Sequence, residues 1–143
     1  MMNGSNKTVL VVEDDPASTK LFHEALEVFG YNVLHAKDGM EGWRIAHEQR
    51  PDLILMDIRL PGVSGLEVTK WLKDDETLKS IPIIAITAFA MEGDKEKMLE
   101  GGCDAYIPKP ISVADFLQTV ERFAAEVEGT MAMPNVRTAQ SMK

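Results

Sequence analysis

The chain has 143 residues, room for one ordinary domain and little more, and 45% apolar residues against 27% charged is enough to build a core. Fifteen Lys and Arg against 23 Asp and Glu leave a formal charge of −8 at pH 7, which excludes a groove built to neutralise phosphate backbones, so nucleic acid is not an expected partner. One cysteine, Cys103, permits neither an internal disulfide nor a thiolate metal cage, and the polar start of the chain carries no secretory h-region. No apolar run approaches the roughly 18 residues of a membrane span, and the expected compartment is the cytoplasm.

In chain order, five short apolar runs predict strands: Thr8–Val12, Asn32–Ala36, Leu53–Asp57, Ile83–Thr87 and Ala105–Pro108. TVLVV, LILM and IIAI are nearly continuous aliphatic runs, which suits strands of a parallel sheet covered on both faces. Between them the period changes to that of helices. Leu21, Phe22, Ala25, Leu26 and Phe29 make one stripe, stopped by Gly30; Met40, Trp43 and Ala46 begin a second, and Leu66, Trp71 and Leu72 mark a third. Met91, Met98 and Leu99 predict a shorter fourth helix ending at Gly101 and Gly102. After Ser112, a residue suited to an N-cap, Val113, Phe116, Leu117, Val120 and Phe123 define a fifth. The whole reads as an α/β protein, a (βα)5 doubly wound five-stranded parallel sheet with right-handed crossovers. Residues 1–7 are expected to be disordered, 8–127 to form the domain, and 128–143, where periodicity is lost, to be a flexible tail.

A doubly wound sheet binds its ligands beyond the carboxyl ends of its strands. There the first strand is followed by Glu13, Asp14 and Asp15, the third ends in Asp57, the fourth in Thr87, and the fifth is followed by Lys109. Adjacent acids raise one another's pKa unless a cation sits among them. Oxygen-only ligands, with no His or Cys at these ends, favour Mg²⁺ over Zn²⁺. Taken singly, each acid is an ordinary cap or turn residue, and Asp15 before Pro16 reads as the N-cap of the first helix. The agreement of four strand ends makes the group a candidate site. His23, His35 and His47 lie on separate elements without metal-like spacing and read as solvated or packed histidines. Tyr106 reads as a half-buried edge residue, Pro61 and Gly65 as turn residues, Cys103 as a small core residue, and Trp43 and Trp71 as packing on the sheet.

VLVVEDD, LILMDIRLPGVSG, IIAITA and GGCDAYIPKP, in that order, resemble the receiver domain of bacterial two-component response regulators, over roughly residues 8–127. The resemblance implies a flavodoxin-like receiver fold with strand order 2-1-3-4-5. It implies that Asp57 is the phosphoacceptor and that Asp14, Asp57 and the backbone carbonyl of Arg59 hold Mg²⁺, with Glu13 acting through metal-bound water. Lys109, Thr87 and Ala88 would bind the phosphoryl group. Thr87 and Tyr106 would relay its arrival to the face of the fourth helix, fifth strand and fifth helix, and Pro110 fits a cis peptide that aims Lys109. Pro108 departs from the small or hydroxyl residue usual in the family. Arg59 and Phe89, two residues beyond the acceptor and the hydroxyl, flank the approach of an in-line water and are candidates for setting the phosphoryl lifetime.

Within the family, KLFH, PDLILMDI, SGLEVTKWLK and TAFAM resemble stand-alone single-domain regulators of the α-proteobacterial cell cycle; a receiver excised from a hybrid kinase or larger regulator is the alternative. The implied partners are a histidine kinase or histidine phosphotransfer protein and a downstream protein, with the first helix, at Phe22 and His23, a second docking face. Beyond its own phosphorylation and slow dephosphorylation, no enzyme activity is expected. An aspartate-nucleophile phosphatase of the haloacid dehalogenase type would carry an acid where this chain has Arg59, and EDDPAS would repel the phosphate of a flavin carrier.

Overall fold

The computed structural model describes residues 7–88 and 92–129. The aliphatic runs form β1 (Thr8–Val12), β2 (Asn32–Ala36), β3 (Leu53–Asp57), β4 (Ile83–Thr87) and β5 (Ala105–Pro108), and the stripes form α1 (Pro16–Val28), α2 (Gly39–Gln49), α3 (Gly65–Asp74), α4 (Glu92–Glu100) and α5 (Val113–Gly129). All pairings are parallel and the order is β2-β1-β3-β4-β5, so the chain reverses its direction of winding between β1 and β3. That switch point opens a crevice at the carboxyl edge. Met91 and Phe89 lie outside the described residues, as do residues 1–6 and 130–143 of the expected disordered ends. Lys7 already belongs to the sheet's start, its carbonyl accepting from the Asn32 N–H at 2.8 Å, and α5 runs past Val127 to Gly129.

The pleat of the strands divides the core in two. Val9, Val11, Leu53, Leu55, Ile84 and Ile86 point to one side, where α1 and α5 cover them through Phe22, Leu26, Phe116 and Val120. Leu10, Val12, Ile54, Met56, Ile83 and Ala85 point to the other, under Ala46, Val68, Leu72 and Met98 of α2, α3 and α4. The two long helices on the first side are joined by Phe22 and Phe116, whose rings lie 5.0 Å apart.

Helix starts follow from local chemistry. Asp15 caps α1, accepting from the Ser18 N–H at 2.9 Å with Pro16 just inside; Asp38 caps α2 by accepting from the Glu41 N–H at 2.9 Å. At α3, Ser64 and Glu67 form a reciprocal capping box, with bonds of 3.2 and 3.3 Å. The Ser112 hydroxyl accepts from the Asp115 N–H at 3.4 Å at the start of α5.

Two stripes differ from expectation. On α2 the covered residues are Gly39, Gly42 and Ala46, while Met40 is 54% exposed. The helix lies too close to β1 for larger side chains: a Cβ on Gly42 would sit 2.9 Å from Val12 Cγ2. On α3 the buried face is Gly65, Val68, Thr69 and Leu72, and Trp71, 37% exposed, stands edge-on to Trp43 at 5.7 Å instead of packing on the sheet. Leu21, Leu99 and Val113 are likewise exposed at the margins of their stripes. Lys73 ties α3 to the strands, donating to the carbonyls of Lys79 and Ile81 and, at 3.1 Å, to Asp104, whose carboxylate also accepts from the Ile83 N–H.

Candidate phosphoacceptor site

The carboxyl edge assembles the strand-end residues. Asp57 ends β3, 4% exposed, and its Oδ1 accepts the Arg59 N–H at 3.0 Å. Glu13, 1% exposed, leaves β1 with its own N–H donating to Ala36 O at 3.0 Å, which extends the β1–β2 pairing by one residue. Asp14 follows it, exposed. Ligand oxygens of Glu13, Asp14 and Asp57 lie within 4.8 Å of one another. Lys109 brings its Nζ to 3.3 Å from Glu13 Oε1 and 3.9 Å from Asp57 Oδ2. Thr87 is buried at the end of β4, its carbonyl accepting the Lys109 N–H at 2.7 Å, and Ala88 lies exposed just beyond. The Lys109–Pro110 peptide is cis.

The three acids fit a divalent cation. Glu13 Oε2 accepts the Asp15 N–H at 3.1 Å, but buried Oε1, despite the nearby ammonium, has no partner in hydrogen-bonding geometry. Burial above all, then the nearness of the Asp57 carboxyl, pushes the Glu13 carboxyl up to about 7. A buried carboxylate with an open lone pair, beside two more acids and in an all-oxygen set, is the donor chemistry of a hard cation such as Mg²⁺.

A family model described as the response regulator receiver domain matches residues 9–121. The chain belongs to the response regulator receiver family. It is 54% identical to the polar-differentiation response regulator DivK of Brucella anthropi over 120 residues, which is 84% of this chain and 98% of that protein. The receiver domain of a sensor histidine kinase from Pseudomonas aeruginosa, solved with a magnesium ion coordinated in its active-site cleft, superposes with a TM-score of 0.79 at 36% identity, covering 85% of this chain and 99% of that one. The receiver domain of the Saccharomyces cerevisiae response regulator Ssk1, solved in complex with the histidine phosphotransfer protein Ypd1, superposes with a TM-score of 0.81 at 27% identity, covering 88% of this chain and 93% of that one. The chain is therefore a phosphoacceptor receiver of two-component signalling, similar to single-domain regulators of the DivK type, and not a classical enzyme.

In this receiver the remaining predicted residues fall as follows. Tyr106 is half-buried on the edge strand β5, packed against the core on the α2–α4 side. Arg59 is exposed beside Asp57, and Phe89 lies outside the described residues. Phe22, expected on a docking face, is fully buried against Phe116, which leaves only half-buried His23 of that pair on the surface. Cys103 is the small core residue expected, with burial pushing its thiol up to about 11.

Three features of the site depend on contacts across the fold. A Cβ on Gly65 would run into the Asp57 carbonyl oxygen, so the glycine lets α3 start directly against the Asp57 backbone. The pairing of Lys109 with Glu13 as well as Asp57 depends on where β5 ends relative to β1. His35 Nε2 lies 3.0 Å from the carbonyl oxygen of Glu13, and no sequence signal marks a single histidine on an edge strand as belonging to an acidic site. Among the described residues no helix is long and apolar enough to cross a membrane.

Proposed function

We propose that Asp57 accepts a phosphoryl group from a phosphohistidine of a histidine kinase or histidine phosphotransfer protein, and that the phosphorylated chain binds a downstream protein. The observation that carries this reading is the meeting of Asp57 with Glu13, Asp14 and the Lys109 ammonium at one sheet edge. An oxygen of Asp57 forms the bond to phosphorus as the bond to the donor nitrogen breaks, and the imidazole leaves with the electron pair. Lys109 offsets negative charge on the transferring group, while the Thr87 hydroxyl and the Ala88 backbone hold its oxygens. Asp14, Asp57 and the Arg59 carbonyl would hold Mg²⁺, with Glu13 acting through an intervening water, and the ion would offset further charge on the phosphoryl oxygens. The magnesium in the Pseudomonas receiver supports that cation, and the Ypd1–Ssk1 complex supports a phosphotransfer partner.

Thr87, drawn toward the phosphoryl, opens space for half-buried Tyr106 to turn inward and alter the face of α4, β5 and α5. The chain catalyses only its own phosphorylation and slow hydrolysis, with Arg59, two residues beyond the acceptor, bordering the path of the attacking water. Similarity to DivK along nearly all of that protein supports a regulator acting through protein contacts alone, and the single buried thiol supports a cytoplasmic setting.

Acetyl phosphate with Mg²⁺ should add one phosphate to the intact protein by mass spectrometry, and omission of Mg²⁺ or the substitution Asp57→Asn should abolish it. An undiminished phosphate increment in Asp57→Asn overturns the assignment.

A further inference from the structure

We infer that His35 is a positioning residue for the cation site, holding the peptide that joins Glu13 to Asp14; the inference rests on the reading of Glu13, Asp14 and Asp57 as that site. His35 lies near the carboxyl end of the edge strand β2, in register with Val11 of β1. Its Nε2 is 3.0 Å from Glu13 O, and the Thr19 hydroxyl of α1 stands 3.4 Å from the same nitrogen. A carbonyl oxygen only accepts, so Nε2 carries the hydrogen and the ring donates.

The neighbouring residue of β2, Ala36, accepts the Glu13 N–H through its carbonyl at 3.0 Å. Consecutive residues of β2 thus grip Glu13 at both ends of its backbone, one by a strand hydrogen bond that any sequence makes and one by a side chain that only a donor of this reach supplies. The gripped carbonyl belongs to the Glu13–Asp14 peptide. Rotation of that plane sets the directions from which the buried Glu13 and exposed Asp14 carboxylates reach the cluster, and outer-shell hydrogen bonds of this kind orient the groups that touch a metal. His35 is exposed and lies outside both core clusters, so its ring is not there to fill the interior. Asp15, Pro16 and Ser18 anchor the far side of the same loop through the cap of α1, which leaves the peptide between Glu13 and Asp14 as the segment His35 restrains.

The test uses the full chain, labelled with ¹⁵N, and Mg²⁺ alone as the ligand. In metal-free buffer at a pH where the ring is neutral, the ¹⁵N shifts of His35 should report the Nε2–H tautomer. Titration followed by the Asp14 and Asp15 amide shifts should show Mg²⁺ affinity falling roughly tenfold in His35→Leu, the lower end of the range for outer-shell partners. His35→Gln, whose amide N–H is also a donor, should recover most of that loss, while the metal-free melting temperatures of all three proteins stay together. An Nδ1–H tautomer overturns the proposal, as does His35→Leu binding Mg²⁺ like the parent, or His35→Gln binding no better than His35→Leu. Absence of any Mg²⁺-dependent shift in the parent overturns the cation reading and this role with it, and the tautomer, which needs no metal, then reports separately whether the hydrogen bond failed too.

Discussion

Glu13 and Asp75 carry the same functional group and are pushed in opposite directions by their surroundings. Glu13 is buried beside another acid and is held up near neutrality, so its charge is costly until a cation arrives. Asp75, after α3, accepts from the Thr77 hydroxyl at 2.7 Å and its N–H at 2.8 Å, and His47 Nε2 lies 3.0 Å away. Chiefly through Thr77, these bonds favour the carboxylate and lower Asp75 to about 2. A folded-state pKa below the unfolded value of about 3.9 contributes stability that is present above that pH and disappears as pH falls toward 2. Thermal melts of Asp75→Asn and the parent should therefore differ most above pH 4 and converge between pH 4 and pH 2, where the parent loses its advantage. A gap that stays constant through that window would mean that the carboxylate's charge adds nothing there.

At the scale of elements, the fit of α2 against β1 sets two effects against each other. Gly42 lies inside a helix, and alanine there is worth about 1 kcal/mol in helix propensity. The new methyl would meet Val12 Cγ2 at 2.9 Å, against a β-branched side chain that cannot swing aside, and overpacking of this kind costs about 1–3 kcal/mol. Overpacking wins, so Gly42→Ala should be destabilised by about 1 kcal/mol in urea unfolding, with the slope of the transition unchanged.

For the whole molecule, the sheet divides labour between its two faces and its two ends. Phe116 joins α5 to α1 on one face, fully buried, and truncating a buried phenyl ring to Ala costs about 3–5 kcal/mol. Phe116→Ala should lower the midpoint of denaturation accordingly. Below its unfolding temperature it should still bind Mg²⁺ at the carboxyl edge, since the acids there are carried by β1 and β3 and not by α5. Loss of Mg²⁺ binding in a variant still folded by circular dichroism would show that α5 contributes to the site.

The three inner strands were legible because TVLVV, LILM and IIAI are dense aliphatic runs, the pattern of strands covered on both faces, whereas the edge strands NVLHA and AYIP are only partly buried and carry a weaker signal. Their ends were legible for the same reason, so Glu13, Asp14, Asp57, Thr87 and Lys109 were brought to one edge by alternation of strand and helix alone. Resemblance to the receiver family supplied the strand order. What the linear pattern does not contain is distance across the fold. The nearness of α2 to β1, which turns its covered face over to glycines and puts Met40 in solvent, depends on how two elements settle together. The same holds for Trp71 standing against Trp43, for Lys73 reaching the starts of β4 and β5, and for Gly65 yielding space to the Asp57 backbone. His35 is the clearest case. Its chemistry is ordinary at its own position, and only the parallel pairing of β2 with β1, which draws residues more than twenty apart in sequence into a 3.0 Å contact, makes it a neighbour of the acids. Sequence thus determined which groups stand at the strand ends, through local hydrophobic patterning, and tertiary structure decided which of them touch, because contact depends on packing distances that no local pattern encodes.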